Sequence, residues 1–250
     1  MNQDIIKGAG ELISSTSERK ISSYDDFVKT LLTAGFSMGN SNAEGIYAII
    51  EFEWNEEPTY DTPVRWYTGD PVTDPCEWIN RILVERNDIT YGKLFFKKSG
   101  YITKKWFPYF LAVRRDGVDF NEAYDRGLMS HFAKRIYDVV SANETLAVEE
   151  IKRLGGFSRE NKSGFDRALT ELQVKLFISP CGRRYKVSQK GEEYGMASTV
   201  FCTTERFWGD DVFEEAAEID ADEAIEQIRA QVLWLNPLAE DKKISKFILG

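Results

Sequence analysis

The chain has 250 residues, of which 42% are hydrophobic and 29% are charged, and its formal net charge is −9 at pH 7. This composition is typical of a folded globular protein and excludes a disordered chain. A uniformly negative surface would repel phosphate, which argues against a generic nucleic-acid binder. No apolar run approaches the roughly 20 residues that cross a bilayer, and no signal-peptide core is seen at the N-terminus, so we expect a cytoplasmic protein without a membrane partner.

The first element with definite predicted ends is a helix. About the first twenty residues before it are polar and indicate a weakly ordered segment or a short helix. Ser22-Ser23 caps the predicted helix, and Gly35 ends it in the left-handed conformation that glycine tolerates. Its inward-facing residues are Phe27, Leu31 and Leu32.

Two more helices are predicted before residue 90. A turn-rich loop over residues 37–42 leads into a short helix with an isoleucine stripe, and three prolines then keep residues 55–74 irregular. Asp74-Pro75 places a capping residue before a proline, which starts a helix through about Glu85. The stripe of the short helix is Ile46, Ile49 and Ile50, and one side of the longer helix holds Trp78, Ile82 and Glu85.

Residues 89–115 interleave aromatic and basic side chains without an Asp or Glu. Such a run fits a groove for single strands or flipped bases, in which rings stack and cations hold phosphate. The alternative is an aromatic element of the core whose lysines lie at its solvent-exposed edge. Pro108 predicts a kink or a late helix start. The secondary DNA contacts expected from this run are Lys93, Lys97, Lys98, Lys104 and Lys105.

A second set of elements begins near Asn121 or Gly127. Its first helix is followed by a short strand at Leu146-Ala147 and by a helix over residues 148–154 that Gly155-Gly156 ends. The apolar face of the first helix is Phe132, Ile136, Val139 and Val140.

A basic helix and a hairpin are predicted between Ser158 and Lys190. Ser158 caps the helix, and the turn-forming cluster over residues 179–182 joins two short strands. In the second strand Tyr185 and Val187 share one face, while Arg184 and Lys186 share the other. The apolar face of the helix is Phe165, Leu169, Leu172 and Leu176, at spacings of i, i+4, i+7 and i+11.

This stretch concentrates positive charge in an acidic chain. Nine basic and three acidic residues lie between Arg153 and Lys190, whereas the excess acid lies mostly between Asp210 and Glu226. The order helix, helix, recognition helix and hairpin is that of a winged helix, in which the third helix enters the major groove and the wing holds phosphate. The predicted DNA contacts are Lys162, Ser163, Arg167, Thr170, Arg183, Arg184 and Lys186.

The C-terminal part completes three predicted regions. A short apolar and threonine-rich stretch over residues 199–204 precedes an acidic loop, a helix over about 221–235 and a lysine-rich end. We expect an α+β fold, mainly α, of tandem winged-helix units packed together. The regions are an N-terminal degenerate winged helix with the aromatic-basic segment (1–120), a winged-helix domain (121–195), and an acidic helical extension packing on both (196–250).

Metal and cofactor sites are not predicted. Cys76, Cys181 and Cys202 are widely spaced, and no close cysteine pair accompanies His131, the single histidine, so we expect reduced thiols. His131 beside a helix face is assigned a structural or capping role rather than a catalytic one. Asp61, Asp70 and Asp74 could gather a metal ion, but turn and cap roles are favoured. No phosphate-loop or dinucleotide fingerprint occurs, and no cofactor is expected.

Several segments resemble the AlkZ-related winged-helix proteins, distant relatives of the AlkZ-type DNA glycosylases. They are DPCEWINRILVE with the later YGK, WFPYFLAV, HFAKRIYDVV and NKSGFDRALTELQ, which together span about residues 65–180. The resemblance implies tandem winged helices around a concave, DNA-sized surface. The glycosylases of the wider family carry a Gln-x-Gln or Gln-x-Asp triplet, which is absent from this sequence. The resemblance therefore implies no catalytic residue here.

Three functions are consistent with these observations. The first is binding of duplex DNA without catalysis, with a role in DNA repair as one setting. The second is a DNA glycosylase acting on alkylated or crosslinked bases, which would need to extrude the target base beside a polar activating group. The third is an adaptor, with protein partners docking on the acidic C-terminal helix. The structural alternative to DNA binding is a winged helix that serves as a protein-interaction or scaffold module, in which the basic residues pair with the acidic tail.

Overall fold

The computed structural model describes residues 20–40, 44–188 and 190–250. The polar segment predicted before residue 20 lies outside the described residues, as does the end of the loop predicted over 37–42. The chain is a mainly helical α+β protein. Among the described residues, no helix is both long enough and apolar enough to cross a bilayer.

The first unit contains two helices and a three-stranded antiparallel sheet. In chain order these are α1 (Tyr24–Ala34), β1 (Phe36–Met38), α2 (Pro75–Glu85), β2 (Ile89–Phe95) and β3 (Lys98–Thr103). The strand order across the sheet is β1-β3-β2.

Both helices of the first unit begin as their capping residues predict. Ser23 accepts a hydrogen bond from the Asp26 amide, and Gly35 ends α1 with φ 89°. Asp74 is 1% exposed and accepts from three backbone amides, those of Cys76, Tyr67 and Gly69. Asp74 therefore fixes both the start of α2 and the proline-rich segment that precedes it.

The short helix predicted around Ile46 is wrong. Residues 46–50 run as an irregular buried segment beside β1, where the Met38 amide donates to the Tyr47 carbonyl and the Ile49 amide donates to Ser37 Oγ. Ile46 enters one core and Ile50 enters another. A run of isoleucines buried on two sides has the same spacing as a short helix, and periodicity does not separate the two.

Helices α3 (Phe107–Arg115) and α4 (Phe120–Asp125) lead into the second unit. Pro108 lies in the first turn of α3, which confirms the late helix start. The second unit then consists of α5 (His131–Ser141), β4 (Leu146–Ala147), α6 (Val148–Leu154), a 3₁₀ turn (Arg159–Asn161), α7 (Lys162–Val174), β5 (Ile178–Val187) and β6 (Glu193–Thr203). Its strand order is β4-β6-β5, the same arrangement as in the first unit.

The hairpin of the second unit is longer than predicted, and its turn lies elsewhere. The cluster over 179–182 is part of β5, where Pro180 faces Phe201 and Cys181 is the extra residue of a bulge. Proline fits because β5 is the edge strand of this sheet, so the missing amide costs no ladder bond. Between the end of β5 and the start of β6, the Ser188 amide instead donates to the Glu192 carbonyl at 2.8 Å.

A second irregularity between Arg184 and Lys186 breaks the strict alternation predicted for residues 184–187. The apolar and threonine-rich stretch predicted over 199–204 forms the end of β6 and the first residue of the next helix. Turn-forming residue types therefore mark bulges as well as turns.

Four helices close the chain. They are α8 (Thr204–Trp208), α9 (Asp210–Ala217), α10 (Ala221–Leu235) and α11 (Asp241–Leu249). The predicted helix over 221–235 is confirmed, but the predicted acidic loop is helical, because Asp210 and Asp211 lie in the first turn of α9 where carboxylates favour helix formation. Buried residues of α9 to α11 share one core with β1 to β3 and α3.

Several aromatic residues of the aromatic-basic run lie in this shared core. Phe95, Phe107 and Phe110 are 0% exposed, and the ring of Phe95 stacks on that of Phe247 at 4.0 Å between centroids. The aromatic-core interpretation is confirmed, and these three rings are not available to stack bases.

A buried arginine joins α11 to both units. Arg114 donates four hydrogen bonds of 2.8–3.0 Å to the carbonyl oxygens of Ile248, Phe247, Leu94 and Val174. Two of these carbonyls belong to the last turn of α11, one to β2 and one to the end of α7. Carbonyls in a last helical turn have no partner within their own helix, so Arg114 caps α11 while fixing it to the sheet and to α7.

Candidate nucleic-acid interface

The two ends of α7 have different surroundings. Of the predicted apolar face, Phe165 and Leu172 are buried and Leu169 is half-buried, whereas Leu176 lies beyond the end of α7 and enters the core shared with the first unit. Around the first two turns, Lys162, Ser163 and Arg167 are exposed. Ser158 begins the preceding 3₁₀ turn rather than α7 itself, and its hydroxyl and amide both contact Asn161 Oδ1.

The C-terminal half of α7 is covered by the first unit. Gln173 is 4% exposed, and its Oε1 accepts from the Lys93 amide at 3.0 Å while its Nε2 donates to the Leu169 carbonyl at 2.9 Å. A Cβ on Gly92 would lie 2.9 Å from Gln173 Oε1 and 3.3 Å from Pro180. Glycine at this position lets β2 approach α7 and β5 closely, so the C-terminal half of α7 packs against the first unit whereas the N-terminal half is exposed.

A cleft of about 560 Å³ lies between the two units. Both α2 and α7 line it, through Asn80 on one side and through Asp166, Thr170 and Gln173 on the other. Thr170, predicted to face DNA, therefore faces this cleft, and its hydroxyl donates to the Asp166 carbonyl at 2.9 Å.

Arg183 also points into the cleft. Its Nη1 lies 3.3 Å from Thr199 Oγ1, and its Nε is buried without a hydrogen-bond partner in the described part of the chain. The bulge at Cys181 shifts the direction of the following side chains, which a simple alternation does not anticipate. Arg183 is thus placed to meet a group inside the cleft.

The other wing cations remain near the surface. Arg184 pairs with Glu150 of α6 at 2.5 Å, and the structure leaves Lys186 exposed. The Ser198 hydroxyl, together with Lys186 and Lys152, lowers the pKa of Glu149, so a second carboxylate of α6 faces the same strands. The acidic partners of the wing come from α6 and not from the C-terminal helices.

The five lysines predicted as secondary contacts are not one surface. Lys98 pairs with Glu44 at 2.7 Å, and Lys104 pairs with Asp211 at 2.7 Å. Lys93 lines the cleft with its Nζ 3.3 Å from Ser99 Oγ, whereas Lys97 forms the β2–β3 turn with φ 60°. Lys105 is exposed after β3.

His131, Asp70 and Asp74, the side chains considered for catalysis or metal binding, lie at helix starts and in turns. His131 is exposed at the first position of α5, whose cap is Ser130 rather than His131. Asp70 and Asp74 hold backbone amides of the proline-rich segment, which confirms their turn and cap roles. The described ranges contain no group of three or more His, Cys, Asp or Glu that could hold a metal ion.

A family model described as AlkZ related matches residues 21–249. The chain belongs to the AlkZ-related family. The resemblance expected from the four sequence segments is therefore confirmed. Among solved structures, the Streptomyces sahachiroi DNA glycosylase AlkZ matches with 12% identity and a TM-score of 0.38, covering 70% of this chain. The match covers 50% of that glycosylase, so this chain spans about half its length. A comparison with curated proteins finds no match.

The segments that carry the AlkZ-related resemblance meet in the structure. The YGK segment contributes Gly92 and Lys93, and the last residue of NKSGFDRALTELQ is Gln173, which accepts from the Lys93 amide. The segment WFPYFLAV ends just before Arg114, the residue that joins α11 to both units. These contacts join residues far apart in the chain, and no local pattern predicts them.

Proposed function

We propose that this protein binds duplex DNA through the N-terminal half of α7 and the β5–β6 hairpin. The proposal rests on the exposure of Lys162, Arg167 and Lys186 and on their lack of an ion pair with any residue that the structure describes. All three are exposed, and none forms an ion pair with another described residue. Unpaired cations on an open helix end and the adjacent hairpin are the electrostatic footprint of a phosphate-binding surface.

The repeated element order supports a tandem winged-helix arrangement. Each unit contains, in order, a first helix, a short strand, a helix that directly precedes the hairpin, and the two strands of the hairpin. In both units the short strand pairs with the last strand of the sheet. The second unit has α6 between strand and recognition helix, whereas residues 44–74 replace that helix in the first. We assign α2 and α7 as the recognition helices. We propose domains over 1–120, 121–203 and 204–250, moving the predicted boundary at 195 to the end of β6 because β6 pairs with β4 and β5 in the sheet of the second unit.

The predicted contacts divide into two groups on this proposal. Lys162, Ser163 and Arg167 reach base edges or phosphates from the first turns of α7, since the N-terminal residues of such a helix enter the major groove. Lys186 holds phosphate, and Arg184 does so after leaving Glu150, an exposed pair of small strength. Thr170 and Arg183 act inside the cleft.

Base excision is a second candidate, and the cleft favours it. Its volume is within the range of small-ligand sites, and its lining includes a carboxylate, Asp166, a phenol, Tyr91, and a guanidinium, Arg183. An extruded base needs a shaped pocket and a nearby polar group that orients water. The glutamine triplet of the AlkZ-type DNA glycosylases is absent here, which argues against this candidate.

Equilibrium binding to a fluorescent duplex tests the DNA-binding proposal. The double variant Lys162→Ala/Arg167→Ala should lose on the order of tenfold in affinity for each lost phosphate contact near 0.1 M salt. The matched control is Lys242→Ala/Lys246→Ala, which removes two exposed cations from α11. Equal losses in both double variants would show a nonspecific charge effect and would contradict the proposal.

A lesion panel tests the second candidate separately. Duplexes with alkylated or crosslinked bases are incubated with the protein and then heated in alkali, which cleaves abasic sites. Base excision predicts strand cleavage that Asp166→Asn abolishes while duplex binding persists. Absence of cleavage across the panel by a protein that binds the same duplexes rejects the candidate.

A further inference from the structure

The β5–β6 hairpin holds two cysteines that lie diagonally across the paired strands. Cys202 lies on β6 opposite Ser179, and Cys181 is the bulge residue two positions along β5. The Cys202 thiol is buried, with its Sγ 3.9 Å from the Ser179 carbonyl oxygen, and each thiol lies near enough to shift the pKa of the other. Both are free thiols in this structure.

Both cysteines lie on one face of the hairpin. Cys202 is opposite Ser179, and Cys181 follows Ser179 by two positions, so both lie away from the cleft that Pro180 and Phe201 line. The extra residue at Cys181 bends β5 at this point. Two cysteines on neighbouring positions of paired strands need little backbone movement to bond.

We propose that Cys181 and Cys202 form a reversible modification site, at which peroxide converts the two thiols into one disulfide between β5 and β6. The assignment gives a role to two residues that neither the DNA-binding surface nor the cleft uses. It does not depend on DNA binding.

The charges around Cys181 favour it as the attacking sulfur. The hydrogen bond from Cys202, and then Arg184 and Arg206, lower the pKa of Cys181, whereas the same shared proton and burial raise that of Cys202. Cys181 is also partly exposed, so an oxidant in solution reaches it. The thiolate is the nucleophilic form, and low pKa with access marks the cysteines that oxidise first.

The reaction balances with hydrogen peroxide as the oxidant. The Cys181 thiolate attacks one peroxide oxygen, the O–O bond breaks, and hydroxide leaves and takes up a proton to form water. The resulting sulfenic acid is attacked by the Cys202 sulfur, the S–O bond breaks, and a second water leaves with the Cys202 proton. Each sulfur gives up one electron, and hydrogen peroxide accepts two. Thiol reagents reverse the reaction by disulfide exchange.

Cys76 provides an internal comparison. Burial, and then the nearby Asp74 carboxylate, raise the pKa of the Cys76 thiol to about 11, so it remains protonated at neutral pH. It lies on α2 beside the cleft, in the other unit. Oxidation at neutral pH should therefore leave Cys76 as a free thiol.

Peptide mapping of the full chain tests the proposal. The protein is treated with equimolar hydrogen peroxide at neutral pH, alkylated with iodoacetamide and digested with trypsin without reduction. The expected product is peptide 176–183 joined to peptide 191–206, lighter than their sum by two hydrogen atoms, with Cys76 alkylated. Dithiothreitol should restore the two separate peptides. The melting temperature should rise on oxidation, because a crosslink restricts the unfolded chain.

Two variants complete the test. Cys76→Ser should form the same linked peptides, and Cys181→Ser should form none. Separate alkylated peptides from the oxidised native chain would overturn the proposal, as would sulfinic acid at Cys181 without a crosslink or a disulfide between two chains. These outcomes are read on the native chain, so they hold even if Cys181→Ser folds poorly.

Discussion

Replacement of Arg114 by methionine tests how the two units and α11 are held together. Arg114 is 7% exposed and donates to four buried residues' carbonyl oxygens, while its guanidinium carbon lies 5.1 Å from the Phe110 ring centroid. Burial lowers its pKa to about 9, so at neutral pH the guanidinium keeps its proton and all its donors. Methionine retains much of the apolar volume of the arginine side chain and removes every hydrogen-bond donor.

The expected loss of stability follows from the four carbonyl groups that no longer have a hydrogen-bond donor. An unsatisfied buried carbonyl costs about 1–3 kcal/mol. Two of the four, at Phe247 and Ile248, lie in the last turn of α11 and gain water when that turn frays. The other two, at Leu94 and Val174, are enclosed between the units, giving a cost of about 2–6 kcal/mol. Release of a buried cation offsets part of it, so we expect Arg114→Met to lower the free energy of unfolding by about 3 kcal/mol.

Urea unfolding at neutral pH measures this change, with the midpoint falling and the slope unchanged if both states keep their exposed surface. Arg126→Met is the matched control, because Arg126 forms an exposed pair with Glu122 whose loss should cost under about 1 kcal/mol. Arg114→Lys should fall between, since three donors replace five. A loss below about 1 kcal/mol for Arg114→Met would refute the proposed cost of leaving these carbonyls unpaired.

Two further substitutions, Gly92→Ala and Asp74→Ala, test contacts that position the candidate site. Both are measured by urea unfolding. Gly92→Ala should destabilise by about 1–3 kcal/mol through overpacking against Gln173, and Gln173→Ala in the same chain should recover part of the loss. Gly182→Ala, whose added Cβ meets only Val200 at 3.8 Å, should cost less, and an equal cost would contradict the close-approach argument. Asp74→Ala should cost about 2–4 kcal/mol because three amides lose one acceptor, and a neutral result would show that water replaces the carboxylate.

Local signals in the sequence predict local structure in this protein. The Asp74-Pro75 pair gives the start of α2, and the apolar spacing of Phe165 and Leu172 gives the inner face of α7. The isoleucines over 46–50 mislead, because a segment buried on two sides and a short helix leave the same spacing. Pro180 misleads for a different reason, since proline suits an edge strand with a bulge as well as a turn.

The candidate site is predictable only in part. Exposure of Lys162 and Arg167 follows from the face of α7 that the apolar pattern leaves outward. The covering of the other end depends on Gln173 and the Lys93 amide, which are 80 residues apart in the chain. The inward direction of Arg183 depends on the bulge at Cys181, and the turn-forming residues over 179–182 that surround it fit a hairpin turn equally well.

The salt dependence of duplex binding tests the central proposal most directly. Affinity is measured between about 50 and 200 mM salt for the native chain, Lys162→Ala/Arg167→Ala and the α11 control Lys242→Ala/Lys246→Ala. If Lys162 and Arg167 each neutralise a phosphate, their joint removal should reduce the slope of log affinity against log salt by about two, and the control should keep the native slope. Undetectable binding at low salt, or identical slopes for all three proteins, would contradict the proposal.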